Sequence, residues 1–219
     1  MTYWSSVIAL FKKDLVFEWR QKYAISGILL YMLCIVFIIF ITFNDIRGPF
    51  WVVLFWIVIL FTAVNAVAKS FLQESPARQL YYYTLASPQA IILAKIFYNI
   101  CVMLFLSAIA LLFYGFSCGF PIVDYTSFLL ALTLGSIAFA CTFSMISAIA
   151  SKASNSGTLM AILAFPMLIP IIIILIRISL NALLENDLMV NASDLLYLLG
   201  LNVLIVAMAL ILFPYLWRD

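Results

Sequence analysis

Six uninterrupted apolar runs decide what this chain can become. They fall at about 24–43, 50–68, 91–114, 127–150, 157–177 and 195–216, and each has the roughly 20 residues that carry a helix across the hydrocarbon of a bilayer. Only 9% of the 219 residues are charged, against roughly 25% in a soluble domain. The expected fold class is all-α, a polytopic bundle of six transmembrane helices. The connecting segments are short, so residues 1–219 read as a single transmembrane domain. The first apolar run begins near Ala24, is too long for a signal peptide and is followed by further spans, so the chain is read as unprocessed.

Charge sets the expected orientation, because Lys and Arg gather on the cytoplasmic side of membrane proteins. With both termini inside, the inner segments hold Lys12, Lys13, Arg20, Lys22, Lys69, Arg78, Lys95, Lys152 and Arg218, and the outer ones only Arg47 and Arg177. Ahead of the first span, residues 4–22 read as an amphipathic helix lying in the inner interface. Trp4, Val7, Ile8, Phe11, Leu15 and Trp19 share one third of the helical wheel, while Lys12 and Lys13 point elsewhere. Trp4, Lys12, Lys13 and Trp19 are its candidate interfacial anchors, and a plain topology anchor of positive charge is the competing account.

The longest inner segment, about 69–90, is polar and aromatic, with Lys69, Glu74, Arg78 and three successive tyrosines. Ser87-Pro88 then signals a helix start, Ser at the cap and Pro in the first turn. Lys95, two turns further on, is expected to reach back to the headgroups. The outer loop 115–126 is short and semi-apolar. In the fifth span Pro166 and Pro170 lie four apart, share a face, and each removes a backbone hydrogen bond. They fit either a bent helix beside a pathway or an ordinary span. Residues 178–194 read as the longest outer segment, and the Asn191-Ala192-Ser193 sequon within it is weak evidence of glycosylation.

Much chemistry is excluded. There is no histidine, which removes Ser–His catalysis, His/Cys metal sites and the commonest haem ligand. No Asp, Glu, Lys or Arg sits near a span centre, which argues against ion-coupled transport. No Gly-x-x-x-x-Gly-Lys-Ser/Thr loop is present, so the chain does not bind ATP in that manner. Cys34, Cys101, Cys118 and Cys141 are scattered and read as packing residues. Asn65, Asn99 and Asn202 are expected to make interhelical hydrogen bonds. The remainder is a membrane subunit, not an enzyme, without catalytic or metal-binding residues.

Three stretches carry a family resemblance: "ALFKKDLVFEWRQK" before the first span, "FLQESPARQLYYYTLASPQAIILAK" at 71–95, and "FPMLIPIIII" in the fifth span. The chain resembles the haem exporter B family (CcmB), membrane permeases of the bacterial cytochrome c maturation ABC transporter. Leu80, Leu85, Ser87, Pro88, Ala94 and Lys95 follow the family pattern; Ser75-Pro76 and Arg78 depart from it. The resemblance implies an ABC-2 type permease in the inner membrane, working with a second copy of itself, a cytoplasmic ATPase and haem-handling membrane subunits. ATP would be bound by the partner, haem would be a candidate cargo, and no cofactor would reside in this chain. Lipid surrounds it and no nucleic acid is expected.

By the same resemblance a coupling helix lies between spans two and three. Phe71, Leu72, Leu80, Tyr81, Tyr82 and Tyr83 would dock in an apolar groove of the ATPase, with Glu74 and Arg78 at the rim. The competing account of this segment is an ordinary loop whose tyrosines join the interfacial aromatic belt. Two other functions share the pattern: an ABC-2 permease for lipid, polysaccharide or drug, and a membrane assembly scaffold that moves nothing.

Overall fold

Inside hydrocarbon every backbone N–H and C=O has to be satisfied within the protein, which forces the apolar runs into helices. The computed structural model describes residues 3–20, 22–43, 46–68, 87–152, 156–184 and 188–216. Among these are seven helices: α1 (Tyr3–Arg20), α2 (Lys22–Thr42), α3 (Pro49–Ala66), α4 (Pro88–Cys118), α5 (Tyr125–Ala150), α6 (Ser156–Leu184) and α7 (Leu188–Leu216). The last six are each long and apolar enough to cross a membrane. The protein is an all-α, multi-pass membrane bundle preceded by one further helix.

Helix α5 is the centre. It packs on α4, α6 and α7 and touches α3 as well, whereas α2 lies at the periphery against α3 and α4. Its sequence explains the position, because Ser127, Ala131, Gly135, Ser136, Ala138, Ala140, Ser144 and Ala148 are all small and all buried. Small side chains let helix backbones approach closely where lipid removes the usual hydrophobic drive. At Gly135 the approach is close: an added Cβ would stand 2.8 Å from Leu175 of α6 and 3.0 Å from Trp56 of α3.

Polar groups at depth are tied across helices. Asn99 Nδ2 of α4 donates to Ser144 Oγ of α5 at 2.7 Å, and Ser136 Oγ of α5 donates to Ser107 Oγ of α4 at 2.9 Å. Asn202 Nδ2 of α7 donates to the Leu134 carbonyl of α5 at 3.2 Å. Asn65 differs from the sequence expectation: it donates to Phe61 one turn back in its own helix, at 2.9 Å. Trp51, Phe55 and Trp56 on α3 pack with Tyr114, Phe128 and Phe139 into an aromatic layer. Trp56 Nε1 donates to Ser179 Oγ at 2.9 Å and Trp51 Nε1 to the Gly119 carbonyl at 3.1 Å. The buried indoles therefore keep their N–H groups bonded.

The start of α4 falls at Ser87-Pro88 as the sequence predicts, whereas the outer segment 178–194 departs from its reading. Ser87 stands at the start of α4 in extended conformation, but its side chain makes no cap hydrogen bond. Its carbonyl instead accepts from Ala90 N and Ile91 N. Residues 178–194, read as an outer segment, are largely helix, since α6 continues to Leu184 and α7 begins at Leu188. Their polar residues pair across the hairpin: Arg177 Nη1 lies 3.3 Å from Asp194 Oδ1, and Asn181 Nδ2 donates to Asn191 Oδ1 at 3.1 Å. Asn191 is fully buried, which leaves no accessible sequon amide.

Substituting Gly135→Val forces a branched side chain into Leu175 and Trp56. It is expected to destabilise the bundle by about 1–3 kcal/mol, the usual cost of overpacking. Thermal unfolding of the detergent-solubilised protein checks this, and an unchanged midpoint would contradict the packing described.

Candidate functional site

Both ends of the segment between α3 and α4 are rooted in the core. Val67 and Ala68, which follow α3, are fully buried, and so are Ala90 and Ile92 in the first two turns of α4. Residues 69–86 join these two anchor points. The candidate coupling residues Phe71, Leu72, Glu74, Arg78, Leu80, Tyr81, Tyr82 and Tyr83 lie outside the described residues.

Helix α1 sits beside this junction. It packs along the start of α4, with Val7 buried against Ala90 and Ala94, and Leu10 and Leu93 at the edges. Ala90 and Ala94 are one turn apart and give α4 a low surface on which another helix can rest. Lys95 follows directly. It is only 8% exposed, and its Nζ lies 3.7 Å from Asp14 Oδ2. The other oxygen of Asp14 is 2.9 Å from Lys13 Nζ. Lys95 therefore meets an acidic residue of α1 within the bundle, a partner that its sequence position did not suggest. The sequence clue to this contact was the Ala90–Ala94 pair beside a lysine at a span end.

The rest of α1 keeps an outward apolar stripe. Trp4 is 62% exposed, and Ile8, Leu15 and Val16 are exposed too, while Lys12 projects to solvent. The side chain of Trp19 lies outside the described residues. The helix thus has two apolar faces, one against α4 and one turned outward. Its residue types had predicted a single face.

Pro166 and Pro170 do not approach this junction or the core. Helix α6 remains continuous through both, and both are exposed on its outward side with Ile162, Phe165, Ile169 and Ile173. At the opposite end of the bundle, the turn 119–124 is fastened to α6, with Val123 N and Asp124 N donating to the Ala182 carbonyl at 3.0 and 2.8 Å. Asp124 then caps α5, its Oδ1 accepting from Thr126 N and Ser127 N at 3.0 and 3.1 Å. Among the described residues no three His, Cys, Asp or Glu side chains converge into a metal-ligating group.

The two partners of the α1–α4 ion pair are not equivalent. Without Lys95, Asp14 still has Lys13; without Asp14, the Lys13 and Lys95 ammonium groups both lose the carboxylate that lies between them. Asp14→Ala is expected to cost about 3 kcal/mol, at the lower end for breaking a buried pair, and Lys95→Met clearly less. Chemical unfolding of the two variants checks the order, and the reverse order would contradict the geometry.

No curated protein matches the chain. The profile of the CcmB protein family matches residues 5–215, from the first turns of α1 to the end of α7. The matched region takes in the α1–α4 contact, the segment 69–86 and the whole bundle. The chain belongs to the CcmB family, the haem exporter B family of membrane permease components of haem-export ABC transporters.

Proposed function

We propose that this chain is the membrane half of an ATP-driven machine for cytochrome c maturation, in which a partner ATPase grips residues 69–86. The observation that carries the reading is the anchoring of that segment. Val67 and Ala68 on one side and Ala90 and Ile92 on the other are buried in the bundle, so force applied between them enters α3 and α4 directly. Phe71, Leu72, Leu80 and the Tyr81–Tyr83 run would fill an apolar groove of the ATPase, with Glu74 and Arg78 at its rim. ATP is hydrolysed on the partner, and haem or a haem-linked cargo is exported or released on the far side.

The membrane is the bacterial inner membrane, with both termini cytoplasmic. The support is charge: nine of the eleven Lys and Arg residues fall on the side of α1 and of segment 69–86. In this orientation the exposed stripe of Trp4, Ile8 and Leu15 lies in the headgroup layer, and Lys12, Lys13 and Trp19 anchor it there. The partners are a second copy of the chain, the ATPase and haem-handling membrane subunits. Pro166 and Pro170 point out of the single bundle, and each frees a carbonyl that hydrocarbon leaves unbonded. That surface suits a contact or a pathway between bundles better than lipid.

Purification of the tagged chain from its own membranes tests the assignment. An ATPase and haem-handling subunits are expected to come with it. Glu74→Ala combined with Arg78→Ala is expected to lower the captured ATPase several-fold and reduce cytochrome c yield. Unchanged capture and unchanged yield would overturn the coupling role of 69–86. A complex without an ATPase would favour an assembly scaffold, and one whose other subunits handle lipid or polysaccharide would favour another cargo.

A further inference from the structure

We propose that Asp14 and Lys95 form a pin that fixes helix α1 to the first two turns of α4, making both of them positioning residues for the junction where segment 69–86 enters the bundle. The apolar part of the α1–α4 contact includes Val7 and Leu10 against Ala90, Leu93 and Ala94. In a lipid surrounding, those side chains lose little by turning to lipid instead, and α1 already presents Trp4, Ile8 and Leu15 outward. Apolar burial alone therefore gives α1 no strong reason to choose α4.

The ion pair supplies the choice. The Asp14 and Lys95 side chains are only 11% and 10% exposed, so neither is freely hydrated where it stands, and each depends on opposite charge close by. Val7, Leu10 and Asp14 recur at the three- and four-residue spacing of one helix face, which puts the pair in line with the apolar contact. Lys13, 2.9 Å from the other oxygen of Asp14, restrains the carboxylate from the opposite side. The Asp14–Lys95 contact thereby holds the register of α1 along α4. It lies two turns from Pro88, the residue at which segment 69–86 delivers the chain into α4.

That the pinned junction is also where force enters rests on the coupling role proposed above for 69–86. The pin itself does not depend on that role.

The test uses the full chain in its native complex, reconstituted in lipid nanodiscs. Spin labels introduced by genetic-code expansion at the exposed positions Ile8 and Phe97 report the α1–α4 distance without touching the native cysteines. The unmodified pair is expected to give one narrow distance distribution. Asp14→Asn and Lys95→Met should each broaden it, and the exchanged pair Asp14→Lys with Lys95→Asp should narrow it again. Membrane-subunit-stimulated ATP turnover should fall several-fold in the single variants with the amount of bound ATPase unchanged, and return in the exchange. The conservative Asp14→Glu should retain both the narrow distance and the turnover. Narrow distributions in both single variants, or no recovery on exchange, would overturn the pin. Broadened distances with full turnover would overturn the positioning role. Absence of an ATPase from the unmodified complex would instead remove the coupling role of 69–86, and the distances would still decide the pin.

Discussion

How closely helices can approach α5 governs everything else in this bundle. Leucine and isoleucine gain little by exchanging lipid for protein, so helices in a membrane are held by backbone proximity, dispersion and hydrogen bonds. Gly135 admits Leu175 and Trp56 to the α5 backbone. Ser136 and Ser144, two turns apart, place hydroxyls against Ser107 and Asn99 of α4. The α7 helix is tied in by Asn202 at the Leu134 carbonyl. With most of α5 covered by its neighbours, α2, α6 and α7 keep much of their surface outward, and the exposed faces are what remain for lipid or for other subunits.

The helical class and the six spans could be read from apolar length alone, because the bilayer leaves few alternatives. Helix ends were harder. Arg177, Asn181, Asn191 and Asp194 looked like a loop because polar residues usually mark one. Here they face each other across two antiparallel helices, and composition carries no record of such pairing. Lys95 shows the same gap. From its position it was a boundary lysine, and only the fold brings Asp14, far away in the chain, to within 3.7 Å of it. Asn65 erred in the opposite direction, bonding within its own helix where a partner helix was expected.

Function was legible in a different way. The sequence carries no catalytic constellation, and its excluded chemistries only narrowed the field to a subunit driven from outside. The family pattern at 71–95 named the machine, and the match over residues 5–215 shows membership. The structure adds the setting: a segment whose two roots are buried, flanked by a helix that packs on α4 and meets Lys95 through Asp14. The candidate roles of Phe71 to Tyr83 rest on the family pattern and on where the chain leaves and re-enters the core.

In the coupling role proposed for residues 69–86, energy from a nucleotide-binding partner, applied between α3 and α4, rearranges this bundle. Spin labels at Phe61 on α3 and Ile169 on α6, both outward-facing, measure it in the reconstituted complex. A distance distribution that shifts between the nucleotide-free and ATP-trapped states is the result this account requires. A distribution identical in both states, with the ATPase bound and hydrolysing, would contradict it and leave the chain a static scaffold.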